Sequence, residues 1–258
     1  MTCKIEAACA CHRGLIRSKN EDNFLFDGRC MKAENSGLRH SLSASAQLHR
    51  EQFFAVFDGM GGENFGEYAA FAAAECAADS IKQLEKYVIS EKTFLRQLCL
   101  DMNRAVVRSA RQRLTNHMGS TVAALMFSRN YVYSCNLGDS RCYRLRDNVL
   151  LQLSVDHTDS SHIARGKPGK APLSQYLGID EDEFIIEPYI SKGELRVGDI
   201  YLICSDGLTD MVPEQEILSL LNQEKSASDC VDALVNAALD RGGKDNICCI
   251  TTIITPDQ

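Results

Sequence analysis

Three apolar runs follow one another across gaps of only three polar residues: Thr121 to Phe127, Tyr131 to Leu137 and Arg141 to Leu145. A parallel crossover needs a dozen residues or more, so connections this short force neighbouring strands to run antiparallel. Phe53-Phe54-Ala55-Val56-Phe57 is a further short apolar run, ending at Asp58-Gly59. Polar and apolar residues alternate through Arg141-Cys142-Tyr143-Arg144-Leu145, the pattern of a half-exposed strand. Ile200 to Cys204 and Ile247 to Ile254 are more continuously apolar and read as central strands.

Helical spacing appears in consecutive pairs. Ala70, Ala73, Ala74, Ala77, Ile81 and Leu84 share one face of a helix expected over Glu67 to Tyr87. Leu95, Leu98, Met102 and Val106 do the same from Glu91 to Arg113. Near the end, Pro213 opens a helix bearing Ile217, Leu220 and Leu221. A last helix spans about Ser228 to Leu239 and stops at Gly242-Gly243. Strands in series with helices in pairs mark the α+β class. Residues 28–50 and 156–175 are polar, aperiodic and read as loops.

Composition excludes several classes of function. Asp and Glu outnumber Lys and Arg by 35 to 28, and no basic run offers the counter-charge that nucleic acid demands. No apolar stretch approaches a membrane span, and the first ten residues lack a signal-peptide core. Twelve cysteines suggest zinc or disulfides only if their spacing does, and Cys9 with Cys11, or Cys248 with Cys249, lacks a second pair at zinc-site distances. The expectation is a reduced, cytoplasmic protein that binds neither nucleic acid nor membrane.

Carboxylates recur where strands end. Asp58-Gly59 and Asp206-Gly207 follow apolar runs, Asp245-Asn246 precedes one, Asp139 lies between two, and Glu21-Asp22 precedes Phe24-Leu25-Phe26. Any one Asp-Gly pair is an ordinary turn. Five acidic positions at the ends of rigid strands repel one another if they converge, and a hard cation is the usual remedy. Oxygen donors without His or Cys favour magnesium or manganese over zinc. The glycines in Gly59-Met60-Gly61-Gly62 leave room near such a site, but no Lys-Ser/Thr follows to make a P-loop.

Taken in order, the motifs resemble a known family. They are Arg17-Ser18-Lys19-Asn20-Glu21-Asp22, Phe57-Asp58-Gly59-Met60-Gly61-Gly62, Gly119-Ser120-Thr121, Gly138-Asp139-Ser140-Arg141, Cys204-Ser205-Asp206-Gly207-Leu208 and Gly243-Lys244-Asp245-Asn246-Ile247. This series is similar to that of the PP2C-type (PPM) metal-dependent serine/threonine protein phosphatases in their bacterial form, from about Ala8 to Ile254. The resemblance implies a four-layer αββα sandwich of two antiparallel sheets flanked by paired helices, built as one domain over residues 1–258. It also implies two Mn2+ or Mg2+ ions and a third, weaker one. Asp58 would bridge the pair, Asp206 and Asp245 would hold the first ion, and the Gly59 carbonyl the second. Glu21 and Asp22 would act on the second ion through waters, and Asp139 would share the third with Asp206. Arg17 matches the phosphate-binding arginine.

Two features depart from that pattern. Met60 stands where eukaryotic members carry a His, which leaves the proton donor to the leaving group unassigned; His157 is a candidate. The flap-like segment at about 156–178 is short and rich in Gly, Lys and Pro; its Asp159 could serve the third ion, and Arg165, Lys167 and Lys170 could attract acidic substrates. The implied partners are phosphorylated proteins and an opposing Ser/Thr kinase, and the implied state is a monomer. A non-catalytic phosphoprotein-binding module and a small-molecule phosphohydrolase are the competing readings. A nucleophile at Cys204 or Ser205 is disfavoured because no His lies beside them in sequence.

Overall fold

The computed structural model describes residues 3–60, 65–84, 89–115, 117–159, 161, 165, 169–182 and 184–257. Two antiparallel sheets stack face to face. In the first, β1 (Cys3–His12), β3 (Leu42–Gln47), β8 (Arg141–Arg146), β9 (Val149–Gln152), β11 (Ile200–Cys204) and β12 (Ile247–Pro256) run in the order β3-β1-β12-β11-β8-β9. In the second, β2 (Asp22–Leu25), β4 (Gln52–Met60), β6 (Val122–Ser128), β7 (Tyr131–Leu137) and β10 (Tyr189–Glu194) run β10-β7-β6-β4-β2, with the two-residue β5 (Gly119–Ser120) added to the end of β4. Helices α1 (Gly66–Ile81) and α2 (Glu91–Gln112) cover the second sheet. Helices α4 (Glu214–Gln223) and α5 (Ala227–Asp240) cover the first, with the short α3 (Asp206–Thr209) leading into them.

Period-two alternation builds the layers. Along β4, Phe53, Ala55 and Phe57 face α1 and α2, while Phe54 and Val56 face the opposite sheet. Along β11 and β12, Tyr201, Ile203, Cys248 and Ile250 fill the space between sheets, and Leu202, Cys204, Ile247 and Cys249 meet α4 and α5. Ala69, Ala70, Ala73, Ala74 and Ala77 are fully buried on α1, small enough to bring the helix close to β4. The αββα sandwich of the α+β class is therefore the observed architecture.

Several strands differ from the sequence reading. Residues 28–50 contain β3, whose Leu42-Ser43-Ala44-Ser45-Ala46-Gln47 alternates half-buried and exposed at the sheet edge. Its small side chains carry little hydrophobic contrast, so the period is faint. β1, β9 and β10 are also strands that the apolar pattern did not mark. In β1, Ala and Cys on both faces give a weakly apolar run that two neighbouring strands nonetheless bury. Helix α1 ends at Ile81, and residues 85–88, with the Tyr87 terminus expected for it, lie outside the described residues.

Candidate metal centre

Antiparallel pairing brings the acidic strand ends to one end of the sandwich. Asp22 opens β2 opposite Asp58 near the end of β4. Cys204, at the end of β11, pairs with Arg141 of β8 and with Cys249 of β12, so Asp206, Asp139 and Asp245 emerge beside one another. Asp58 shares the parity of Phe54 and Val56, which places its carboxylate at the end of the inter-sheet layer.

The result is a cavity of ≈ 360 Å³ whose walls include Arg17, Glu21, Asp58, Gly59, Asp139, Asp206 and Asp245. Of the site residues expected from sequence, only Asp22 does not line it; Asp22 lies 2% exposed beneath the floor. The Ser205 hydroxyl donates to Asp22 Oδ2 at 2.7 Å.

Electrostatics in this pocket favour an added positive charge. Burial, then Asp22, Asp139 and Asp245, raise the Asp58 carboxyl well above the usual carboxylate range, and Lys170 opposes the shift. Burial also raises Asp22 well above that range, with Cys11 the next cause. Glu21 is raised by burial and then by Glu67. Two side-chain cations already answer the repulsion. Arg17 Nη2 lies 2.7 Å from Asp245 Oδ2. Lys170 Nζ lies 2.8 Å from Asp139 Oδ2, contacts Asp206 Oδ2, and stands 3.7 Å from Asp210 Oδ2. With these ion pairs in place, no group of three His, Cys, Asp or Glu among the described residues is arranged to hold a metal. The donor chemistry nevertheless fits a hard divalent ion: the walls carry the carboxylates of Glu21, Asp58, Asp139, Asp206 and Asp245, and an ammonium stands among them as a surrogate cation.

Backbone packing explains the glycines differently from a turn. Gly59 lies within β4, and a Cβ there would meet the Gly66 carbonyl oxygen at 2.1 Å and that of Glu21 at 2.6 Å. Gly207 opens α3, where a Cβ would meet the Asn246 carbonyl oxygen at 1.8 Å. Both glycines bring chain segments of the site together. Gly61, Gly62 and Lys167 lie outside the described residues.

Several positioning residues were not singled out from the sequence. Asn246 Nδ2 donates to the carbonyls of Arg13 at 2.7 Å and Lys19 at 2.9 Å, and its Oδ1 accepts from Glu21 N at 2.8 Å. That side chain pins the segment carrying Arg17 and Glu21 to the start of β12. Thr121 Oγ1 accepts from Asp58 N at 3.1 Å and lies 2.6 Å from Ser140 Oγ, tying β4 to the turn bearing Asp139. The Asn of Asp245-Asn246 and the hydroxyl residues Thr121 and Ser140 within the motifs are the sequence signal for such anchoring, but their targets depend on the fold. Lys170, weighed only as a surface charge, reaches the cavity.

The other candidates fall outside it. His157 Nδ1 accepts from Gly138 N at 3.3 Å, and burial lowers its pKa, so it supports the Asp139 turn as a neutral ring. Asp159 accepts from Ser161 N at 2.9 Å and is not a wall residue. Arg165 is exposed. Burial pushes the Cys204 thiol up to about 12, which leaves it inert as a nucleophile.

The sequence profile of the protein phosphatase 2C family matches residues 41–246. The serine/threonine phosphatase stp of Listeria welshimeri is 31% identical over 251 residues, covering 91% of this chain and 90% of that protein. Among solved structures, the PstP catalytic domain in complex with two manganese ions aligns over 99% of this chain and all of its own, at a TM-score of 0.74 and 26% identity. PppA of Pseudomonas aeruginosa aligns over 97% of each chain at a TM-score of 0.75 and 27% identity. Among the described residues, no helix is long and apolar enough to cross a membrane. With its fold, its motif order and these likenesses in agreement, the chain belongs to the protein phosphatase 2C family of phosphoprotein phosphatases, which are hydrolases.

Proposed function

We propose that this chain removes phosphate from phosphoserine and phosphothreonine of other proteins, at a centre that holds two Mn2+ or Mg2+ ions. The observation that carries this reading is the convergence of Glu21, Asp58, Asp139, Asp206 and Asp245 around one cavity with Arg17 at its wall. The whole chain, 1–258, then acts as one phosphatase domain in the cytoplasm, as a monomer, with 156–178 as its flap-like border and a Ser/Thr kinase as its counterpart.

When bound, a pair of such ions supplies hydroxide at neutral pH and offsets the charge of the phosphate dianion. Asp58, at the end of the inter-sheet layer, would serve both ions. Asp206 and Asp245 would hold one ion, the Gly59 carbonyl the other, and Glu21 and Asp22 would support that second ion through waters. Asp139 and Asp206 frame a third, weaker place. Arg17 releases Asp245 to take the phosphate; its guanidinium presents paired donors that a lysine would offer only as a point charge. Asp245 raises the Arg17 pKa, so the guanidinium stays charged throughout. No side chain in the site is required to form a covalent bond with phosphorus.

The test is phosphate release from a phosphothreonine peptide with Mn2+, with EDTA, and with Asp206→Asn. Manganese-dependent turnover that EDTA abolishes and Asp206→Asn removes supports the proposal. Full turnover in Asp206→Asn refutes the assignment of the centre. Faster turnover on sugar phosphates than on peptides would replace the protein substrate by a metabolite, and metal binding without turnover on either would identify a binding module.

A further inference from the structure

Lys170 is the one cation of the 156–178 segment found inside the cavity among the described residues. Its Nζ contacts Asp206 Oδ2, lies 2.8 Å from Asp139 Oδ2 and stands 3.7 Å from Asp210 Oδ2. Asp206 and Asp210 are four residues apart across α3, so their carboxylates share one face of that short helix. Asp139 is 8% exposed at its side chain, and the turn that carries it is fixed by Thr121 and His157. One ammonium thus meets carboxylates from two separate segments of the site.

We propose that Lys170 is a tethered cation that takes the place of a third divalent ion between Asp139 and Asp206, so that this chain loads two ions rather than three. The inference rests on the dinuclear reading above. A divalent ion entering between Asp139 and Asp206 would meet the Lys170 ammonium already paired with both carboxylates. Covalent attachment gives the ammonium an effective concentration in the millimolar range, enough to compete with a weakly held ion. Asp58 and Asp245 are outside its direct ion pairs, and Lys170 meets Asp206 through Oδ2, which leaves Oδ1 to face a principal ion. A lysine stem also frees the place by rotation, without any change in the sheets that carry the acids.

Manganese binding to the metal-free full chain, followed by the electron paramagnetic resonance signal of free Mn2+, tests this without reference to turnover. The wild-type chain is expected to bind two ions. Lys170→Met and Lys170→Gln should each gain a third ion, held about tenfold or more tightly than any third ion of the wild type, because one repelling charge is gone. Lys170→Arg keeps the cation and should bind two. Adding Asp139→Asn to Lys170→Met should remove the gained ion. Isotherms of Lys170→Met and Lys170→Gln that superimpose on the wild type overturn the inference and leave the dinuclear centre standing. A gained ion that survives Asp139→Asn overturns it as well. No manganese binding by any of the proteins would overturn both readings.

Discussion

The Ser205 hydroxyl joins the two sheets beneath the site: it donates to Asp22 Oδ2 of β2 at 2.7 Å and accepts from Cys248 N of β12 at 2.9 Å. Ser205 is fully buried, and so is its acceptor, so neither partner can turn to water instead. One small side chain therefore couples the carboxylate behind the centre to the strand that leads out of Asp245.

Removing that hydroxyl leaves a buried N–H without its acceptor and a buried carboxylate without its donor. Ser205→Ala should lower stability by about 1–3 kcal/mol. Urea unfolding of the metal-free proteins measures the difference, and equal midpoints and slopes would contradict the role given to Ser205.

Gly207 allows Asp206 and Asp245 to approach. An alanine Cβ there would stand 1.8 Å from the Asn246 carbonyl oxygen, so α3 or the start of β12 must shift. Gly207→Ala should lose both manganese affinity and turnover. Gly193→Ala is the control, since its Cβ would meet only the Val132 side chain at 3.7 Å. That variant should keep its stability within about 0.5 kcal/mol. Unchanged manganese binding in Gly207→Ala would show that the two carboxylates do not depend on this contact.

At the other end of β11, Asp199 anchors a buried ion pair. It accepts from Arg146 Nε and Nη2, both at 2.6 Å, from Tyr201 OH at 2.9 Å and from Arg196 N at 2.8 Å. Asp199→Ala strands the Arg146 guanidinium, whose side chain is 15% exposed, and should cost about 3–5 kcal/mol. Asp199 is not a wall of the cavity, so the folded fraction should bind manganese with the parent's affinity. A thermal melt paired with a manganese titration separates the two effects; a variant that melts with the parent would contradict the first.

His12 gives the acid limb of stability a specific contributor. Its Nδ1 accepts from Gly14 N at 2.9 Å, and burial, then Arg13, lowers its pKa. A histidine that resists protonation when folded lets the unfolded chain take the proton first. The stability it contributes is therefore complete above the unfolded value of about 6.5 and is lost as pH falls through the lower folded value. His12→Gln should flatten the fall in stability between pH 7 and pH 5, read as melting temperature against pH. A slope identical to the parent's would exclude this contribution.

Much of the fold was legible because period and spacing report local geometry. Short gaps between Phe127 and Tyr131, and between Leu137 and Arg141, left antiparallel pairing as the only choice, and the helical alanine face of α1 was equally plain. β3 escaped because Leu42, Ala44 and Ala46 differ too little in apolarity from Ser43 and Ser45. β1 escaped because a strand flanked on both sides can be built from alanine and cysteine. The acidic positions were visible as residue types at strand ends, and all but Asp22 reach the cavity wall.

The sequence alone set most of the elements, which of their faces are apolar and which carboxylates stand at strand ends, since each of these depends on neighbours a few residues away. Tertiary structure alone decided that Asn246 pins the Arg17 segment, that Gly207 makes room for a carbonyl 39 residues away, and that Lys170 enters the acidic cavity. Those contacts join residues far apart in the chain, and only the face-to-face packing of two sheets brings their atoms within hydrogen-bonding and Coulomb range.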